Sequence, residues 1–430
     1  MAFFVNLLAV SVVTCSFIKH AVAQNAQVQN NDNSEQFALL CRIYNVAKNP
    51  PINHVDLQDP NKIVEVIDSI NASFAEEKQF NETNQVENSS GVQLKPTTTR
   101  EAAVAQALLS RITRKAHTIL DEIRKLNATR DIEKVKAEFA QVIFGGGMNE
   151  SDLCDGVLKG VGERGAACGS SGLSHKGNYA GKNLVVDFFC LCSMTRDNSN
   201  GIGSVCGVEV GGKGGKKPDN HGWGAANGPS GSSSMWASVK KGCGNLLHHH
   251  PNSTKEGDEV IEDFMRHLKS GGLYRWGASN LVKGSGRKSG MLGTGAGTEN
   301  DGNGDNLTCD GNRGYTGSNG RSGKPPGGIC VYYGPQPDWE NIDWLKKFRD
   351  ALKTLDALNN KTATIQRGIE KLQMLLHRAE KIYETTKVIA EVQNPAQHTS
   401  IQTAAKRLTA YSGARRHPIY AHSILLFVLL

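Results

Sequence analysis

From Trp344 to Ala390 the chain places an apolar or small residue at alternating spacings of four and three: Trp344, Phe348, Ala351, Leu355, Leu358, Thr362, Ile365, Ile369, Leu372, Leu376, Ala379, Tyr383, Thr386 and Ala390. A seam of that period stays on one side of an α-helix and is buried only by packing against further helices. Asp338, after Pro337, is placed to cap its start, and Asn394-Pro395 to stop it. At 1.5 Å per residue such a helix is roughly 70 Å long. Each seam Leu or Ile taken out of water contributes about 1.5 to 3 kcal/mol.

A helix of that length needs a partner. The spacing predicts one from Arg100 to Phe144, roughly 65 Å long, with Thr99 as its cap. Its seam is Leu108, Ile112, Ala116, Ile119, Ile123 and Leu126, then a phase shift near Asn127, then Ile132, Val135, Phe139 and Val142. Shorter helices are expected at Glu35 to Lys48 and Asn61 to Phe80, with Pro50, Pro51 and Pro60 turning the chain between them. Two long helices of matched length on either side of an insert pair most simply as an antiparallel hairpin. The expected fold is therefore mainly α: an elongated helical hairpin or coiled-coil bundle, its stalk made of residues 34–144 and 338–394.

The insert, residues 145–335, is of another kind. It holds 44 of the 47 glycines, and eight of the cysteines beyond position 24. Sequence such as Gly284 to Gly334 buries little by itself, so cross-links must hold it. Short strands are expected within it, for example Leu184 to Cys192. The insert reads as a loop-rich, disulfide-linked head at the far end of the hairpin.

The termini indicate a secreted chain. Phe3 to Ile18 is mostly apolar, and Ala21-Val22-Ala23 offers small residues to a signal peptidase, which would make Gln24 the first mature residue. Residues 1–23 are thus expected to be removed. At the other end come the small trio Ser412-Gly413-Ala414, a polar spacer, and the apolar stub Ser423 to Leu430. That stub has fewer than half of the about 20 apolar residues a spanning helix needs. It is the pattern of a glycosylphosphatidylinositol (GPI) signal at 413–430, with Ser412, or Gly413, as attachment site after a short tail at 396–412. In an oxidising compartment Cys41, Cys154, Cys168, Cys190, Cys192, Cys206, Cys243, Cys309 and Cys330 form a disulfide framework whose pairing the sequence leaves open. Their number is odd, so one thiol is free, buried or intermolecular. Zinc is the competing use, but there is no CxxC pair, and Cys190-Leu191-Cys192 is too tight for a knuckle. Eight sequons are available to carry N-glycans: Asn71, Asn81, Asn88, Asn127, Asn149, Asn252, Asn306 and Asn360.

The formal charge of +7 is spread out, with no dense basic block, which argues against a nucleic-acid partner. Gly207 to Gly214 comes within one residue of a phosphate-binding loop, but Gly214 stands where the Mg²⁺-binding hydroxyl belongs. Asp301 to Asn306 begins like a calcium loop, yet Asn306 replaces the turn glycine and Asn312 the bidentate Glu. His248-His249-His250 cannot all face one ion. No nucleophile elbow, zinc-protease helix or Cys-His signature is present, so neither an enzyme nor a cofactor is expected.

Signal peptide, helical hairpin, cysteine-rich insert, sequons and anchor signal together resemble the variant surface glycoproteins of African trypanosomes. Ser151-Asp152-Leu153-Cys154, Phe189-Cys190-Leu191-Cys192 and the closing helix from Trp339 are similar to the type B-like members, with residues 24–395 as the N-terminal domain. No cysteine follows Cys330, so the family's separate cysteine-rich C-terminal domain has no counterpart, and the tail resembles that of lineages with short ones. The resemblance implies a homodimer formed along the helices, a surface coat held by a GPI lipid, and evasion of host antibodies by antigenic variation. The alternative is a GPI-anchored receptor for a host serum protein or nutrient. Trp223, Trp236, Tyr274 and Trp276 would then form an exposed contact patch.

Overall fold

The structure is a computed structural model and describes residues 26–53, 59–83, 100–126, 128–195, 202–214, 219–278, 281–298, 302–314 and 327–393. Both termini therefore lie outside the described residues, and with them the expected leader, the tail, Ser412 and the anchor signal. The chain divides into two compact units, one of residues 1–54 and 127–361, the other of 55–126 and 362–430.

In chain order the helices are α1 (Ser34–Lys48), α2 (Pro60–Thr83), α3 (Arg100–Lys125), α4 (Ala128–Phe144), α5 (Arg164–Cys168), α6 (Leu184–Cys192), α7 (Ser232–Leu246), α8 (Thr254–Ser270) and α9 (Asp343–Gln393). The strands are β1 (Gly212–Gly214), β2 (Asp219–His221), β3 (Gly272–Ala278), β4 (Leu281–Lys288), β5 (Met291–Gly297) and β6 (Gly327–Tyr332). The fold is mainly helical, as the seams require.

The second unit is built from α2, α3 and the later part of α9. Residues Ile365, Ile369, Leu372 and Ala379 of the α9 seam are buried, while Leu376, Tyr383 and Thr386 are half-buried and Ala390 is exposed. On α3 the buried stripe is Ala105, Leu109, Ile112, Ala116, Ile119 and Leu120. Leu108, expected in the seam, lies at its margin. A crevice lined by Ile119 and Ile123 on α3, by Leu126 just after it, and by Thr364, Gly368 and Lys371 on α9 marks one end of their contact. Arg100, Val104 and Leu108 line an open groove together with Lys381, Ile382 and Ile389 at the other. The start of α3 thus faces the end of α9, and the two helices run antiparallel.

The expected single helix from Arg100 to Phe144 is instead two, α3 and α4, with Leu126 non-helical between them. The break falls at the phase shift: a straight helix cannot keep the stripe before Leu126 and that from Ile132 on one face. Asp338 does not cap α9. Gln336–Asn341 forms a 3₁₀ helix with proline in its first turn, Trp339 is buried with its indole N–H on the Gly334 carbonyl at 2.9 Å, and α9 begins at Asp343.

The first unit is organised around α6, every residue of which is buried. Leu184 to Cys192 was expected as a strand, and this is the main correction. Short apolar runs rich in Val and Phe fit a buried strand or a buried helix equally in periodicity. Asn183 decides locally, because its side chain accepts from the Val186 amide at 2.9 Å as an N-cap. A helix apolar all round is stable only inside a core. Around it pack α1, α4, α7 and β6. Phe37, Tyr44, Phe188 and Trp236 make edge-to-face contacts at centroid distances of 5.5 to 6.4 Å.

The glycine-rich segment forms a four-stranded sheet of order β4-β3-β5-β6, antiparallel except for the parallel β3–β5 pair. Residues of β5 and β6 are buried throughout, whereas the edge strand β4 alternates outward and inward. Glycine is required on β4, since a Cβ at Gly284 would lie 2.4 Å from the Trp276 ring that covers the strand. On α8, Gly257 allows Leu352 of α9 to approach to where a Cβ would meet it at 2.5 Å.

Candidate functional site

Two sets of residues carry features expected of this chain, the cysteines and the glycan acceptors, and a third, a buried polar centre, emerges only in the structure. The cysteines pair as Cys41–Cys243, Cys168–Cys190, Cys192–Cys206 and Cys309–Cys330, leaving Cys154 as an exposed thiol. Helix geometry explains how neighbours take different partners. Cys190 and Cys192, two positions apart on α6, point about 200° apart, so one reaches α5 and the other the loop at Cys206.

Of the sequons, Asn149, Asn252, Asn306 and Asn360 are exposed. Asn71 is half-buried on α2 and accepts from Gln106 Nε2 of α3 at 3.3 Å. Asn88 and Asn127 lie outside the described residues, and Asn81 is placed on α2 only by its backbone. Asn149 is the N-cap of a three-residue 3₁₀ turn, Glu150–Asp152. Its Oδ1 accepts from the Ser151 amide at 2.8 Å, and its own amide donates to the Asp152 carboxylate at 2.9 Å.

The polar centre was not read from the sequence. Arg164 is fully buried. Its Nη1 donates to the carbonyls of Ser193 and Trp223, both at 2.9 Å, and its Nη2 to those of Phe189 at 3.2 Å and Cys190 at 2.9 Å. Asn33 Nδ2 donates to the carbonyls of Leu191 at 2.9 Å and Ile329 at 2.8 Å. The last carbonyls of a helix lack partners within it. Here the end of α6 is buried, so a guanidinium and an amide supply the donors that water would otherwise give. Burial lowers the Arg164 pKa to about 10, opposed by Asp310, so it remains a cation at the negative end of the α6 dipole.

In the first turn of α6, Asp187 is equally buried. It accepts from the Gly181 amide at 2.9 Å, Tyr333 Oη at 2.8 Å and Trp344 Nε1 at 2.7 Å. Burial pushes its pKa up to about 7, although these three donors and Lys176 pull the other way. The Tyr333 phenol is raised well above its ordinary value by burial and by the adjacent carboxylate. The signal in the sequence was the one charge in the run Leu-Val-Val-Asp-Phe-Phe-Cys-Leu-Cys. Arg164, among glycines and alanines, carried no such signal.

The near-motifs resolve as structure. Gly207 to Gly214 leads into strand β1 instead of a helix start, so the backbone amides of a phosphate cradle are not assembled. Asn303 donates to Asp305 in an exposed turn, and Asp301 lies outside the described residues. The imidazoles of His248, His249 and His250 are exposed, with the His249 carbonyl accepting from Asn45 at 3.1 Å. Trp223 and Trp236 are fully buried, Tyr274 is buried and Trp276 half-buried. Three of the four residues of the expected contact patch are therefore core, and Trp276 packs against that core from the edge. Among the described residues no helix is long and apolar enough to cross a membrane.

These features define a class: a disulfide-braced, mainly helical domain in which the buried charges are spent on internal hydrogen bonds. Residues 15–99 and 81–374 match the family described as the Trypanosomal VSG domain, and the chain belongs to that family of variant surface glycoproteins. A stretch of 213 residues is 27% identical to variant surface glycoprotein YnAT 1.3 of Trypanosoma congolense. It covers 49% of this chain and 42% of that protein's length.

Proposed function

We propose that this chain is a surface coat glycoprotein, held in the outer leaflet of the plasma membrane by a GPI lipid at Ser412 and serving antigenic variation. The observation that carries this reading is the family match across residues 15–374. Several features support it. The core of the first unit is fastened by four disulfides, while exposed loop positions such as Asn149, Asn252 and Asn306 lie between them. Substitution at such positions costs little packing, so the surface that antibodies meet can change while the core does not. In the proposed coat, copies stand side by side as homodimers packed along their helices. The cysteine-rich insert is the part that antibodies would meet in this coat, and the task needs no active site.

The test is treatment of intact expressing cells with a phosphatidylinositol-specific phospholipase C, followed by mass spectrometry of the released C-terminal peptide. Release as the dominant surface species, ending at Ser412 or Gly413, supports the proposal. A chain that keeps Leu430 and resists release sinks it.

A further inference from the structure

Two exposed acceptor asparagines, Asn149 and Asn360, differ in what the fold does to the rest of their sequons. N-glycan transfer requires the enzyme to read the Ser or Thr two residues after the asparagine. For Asn149 that residue is Ser151, which is itself exposed; its hydroxyl donates to Asn149 Oδ1 at 2.6 Å. Asn149 caps the three-residue 3₁₀ turn Glu150–Asp152 that contains Ser151. Glu150 pairs with Lys240 at the surface, and the buried side chains begin only at Leu153, in the π turn Leu153–Val157 that follows. A short surface turn of this kind opens locally without disturbing a core.

Asn360 sits well inside the 51-residue helix α9. Its sequon hydroxyl belongs to Thr362, which is 2% exposed and occupies the buried seam. The residues between and before are pinned too. Lys361 pairs with Asp131 at 2.6 Å, and Asn359 accepts from the Asn53 amide at 2.9 Å and donates to the Pro51 carbonyl at 3.0 Å. Presenting Asn360-Lys361-Thr362 in an extended form means unwinding the middle of α9 and pulling Thr362 out of the seam. That opening is coupled to loss of the core.

We propose that folding sorts these acceptors in time: Asn360 accepts a glycan only on the unfolded, nascent chain, whereas Asn149 remains an acceptor in the folded protein. The inference rests on the secretory reading above and deepens it. The reaction is attack of the asparagine Nδ2 on the anomeric carbon of a lipid-pyrophosphate-linked oligosaccharide. The carbon–nitrogen bond forms as the carbon–oxygen bond to the pyrophosphate breaks, the lipid pyrophosphate leaves, and the Nδ2 proton passes to a base of the enzyme. At Asn149 the product keeps Oδ1, so the cap of the 3₁₀ turn survives modification. At Asn360 the exposed side chain lets a glycan already attached stay outside the folded helix.

The experiment uses the full mature chain made without glycans and oxidised to its four disulfides. It is offered, folded or unfolded in reducing denaturant and then diluted, to a purified oligosaccharyltransferase with a lipid-linked oligosaccharide. Site occupancy is read by glycopeptide mass spectrometry. Asn149 is expected to be modified in both arms, and Asn360 in the unfolded arm only, its rate in the folded arm being lower by on the order of 100-fold or more, as for a site exposed only by global opening. Equal rates at Asn360 in the two arms overturn the proposal, as does an Asn149 that reacts only when unfolded. An Asn360 that stays bare even in the unfolded arm also overturns it, because the block would then not come from the fold. The anchor at the other end of the chain plays no part, so this result and the lipase result fail independently.

Discussion

The two units bury their apolar residues by different means. In the unit of residues 1–54 and 127–361, four disulfides, an all-buried helix and two buried charges fasten one continuous core. The unit of residues 55–126 and 362–430 contains no cysteine at all and depends on stripes of Ala, Ile and Leu along α2, α3 and α9. A periodic helical stripe closes through near-identical local contacts and needs no cross-link. Glycine-rich sequence loses more chain entropy on folding and offers fewer side chains, so covalent bridges and satisfied polar groups compensate. The comparison teaches that within one chain the cross-links go where the periodicity is missing.

Breaking the longest bridge tests this most severely. Cys41 and Cys243 are 202 residues apart, so replacing both by serine should lower the stability of the first unit by about 5 kcal/mol on the chain-entropy estimate. Cys192 and Cys206, separated by 14, should cost about 3 kcal/mol on the same basis. Urea unfolding of the two double variants checks the order, and equal losses would contradict it.

Arg164→Met keeps much of the volume but removes the guanidinium donors from four buried carbonyls, of which that of Phe189 retains its bond from the Ser193 amide. A loss of about 4 kcal/mol is expected, because these acceptors have no water to turn to. If calorimetry shows the variant to be as stable as the parent, the polar centre is not what closes the end of α6.

In the second unit, Leu372→Ala should cost about 3 kcal/mol through the cavity it leaves in the seam. It should expose the α9 and α3 amides to hydrogen exchange while those of α6 stay protected. Loss of protection at α6 to the same extent would mean that the two units unfold as one.

A gentler probe is proton linkage at Asp187. Its pKa is about 7 in the fold against an ordinary 3.8. Between these values the folded state holds the extra proton, so this group's contribution to stability falls as pH rises from about 4 to about 7, then levels off. One full proton corresponds to about 1.4 kcal/mol per pH unit. Asp187→Asn should flatten the pH dependence of urea midpoints across that window; an unchanged slope would show that the carboxylate is not the group responsible. The smallest effect belongs to Met374→Ala. This side chain is exposed on α9 two residues from Leu372, and its loss should change stability by under about 0.5 kcal/mol.

Legibility in the sequence followed the range of the interactions. Helices α1, α2 and α9 were readable to within a few residues because a seam is written in neighbours three and four apart. The start of α9 was misplaced by the five residues from Asp338 to Asp343 because a 3₁₀ turn uses the same Pro-Asp vocabulary as a cap. The helix α6 was misread as a strand because its periodicity is hidden by burial on every side. Asn149 and Asn360 looked identical as sequons, although one lies in a short turn and the other in a helix.

By itself, then, the sequence determined the long helices, the split between a periodic and a glycine-rich region, and the nine cysteines beyond position 24. Each is a matter of composition or of spacing along the chain. Only the tertiary structure decided that Cys154 is the unpaired thiol among the described residues, that Arg164 and Asn33 serve the carbonyls of α6, and that Asn359 and Lys361 are tied to Asn53, Pro51 and Asp131. Those outcomes depend on distances between residues remote in sequence, and such distances exist only once the core has formed.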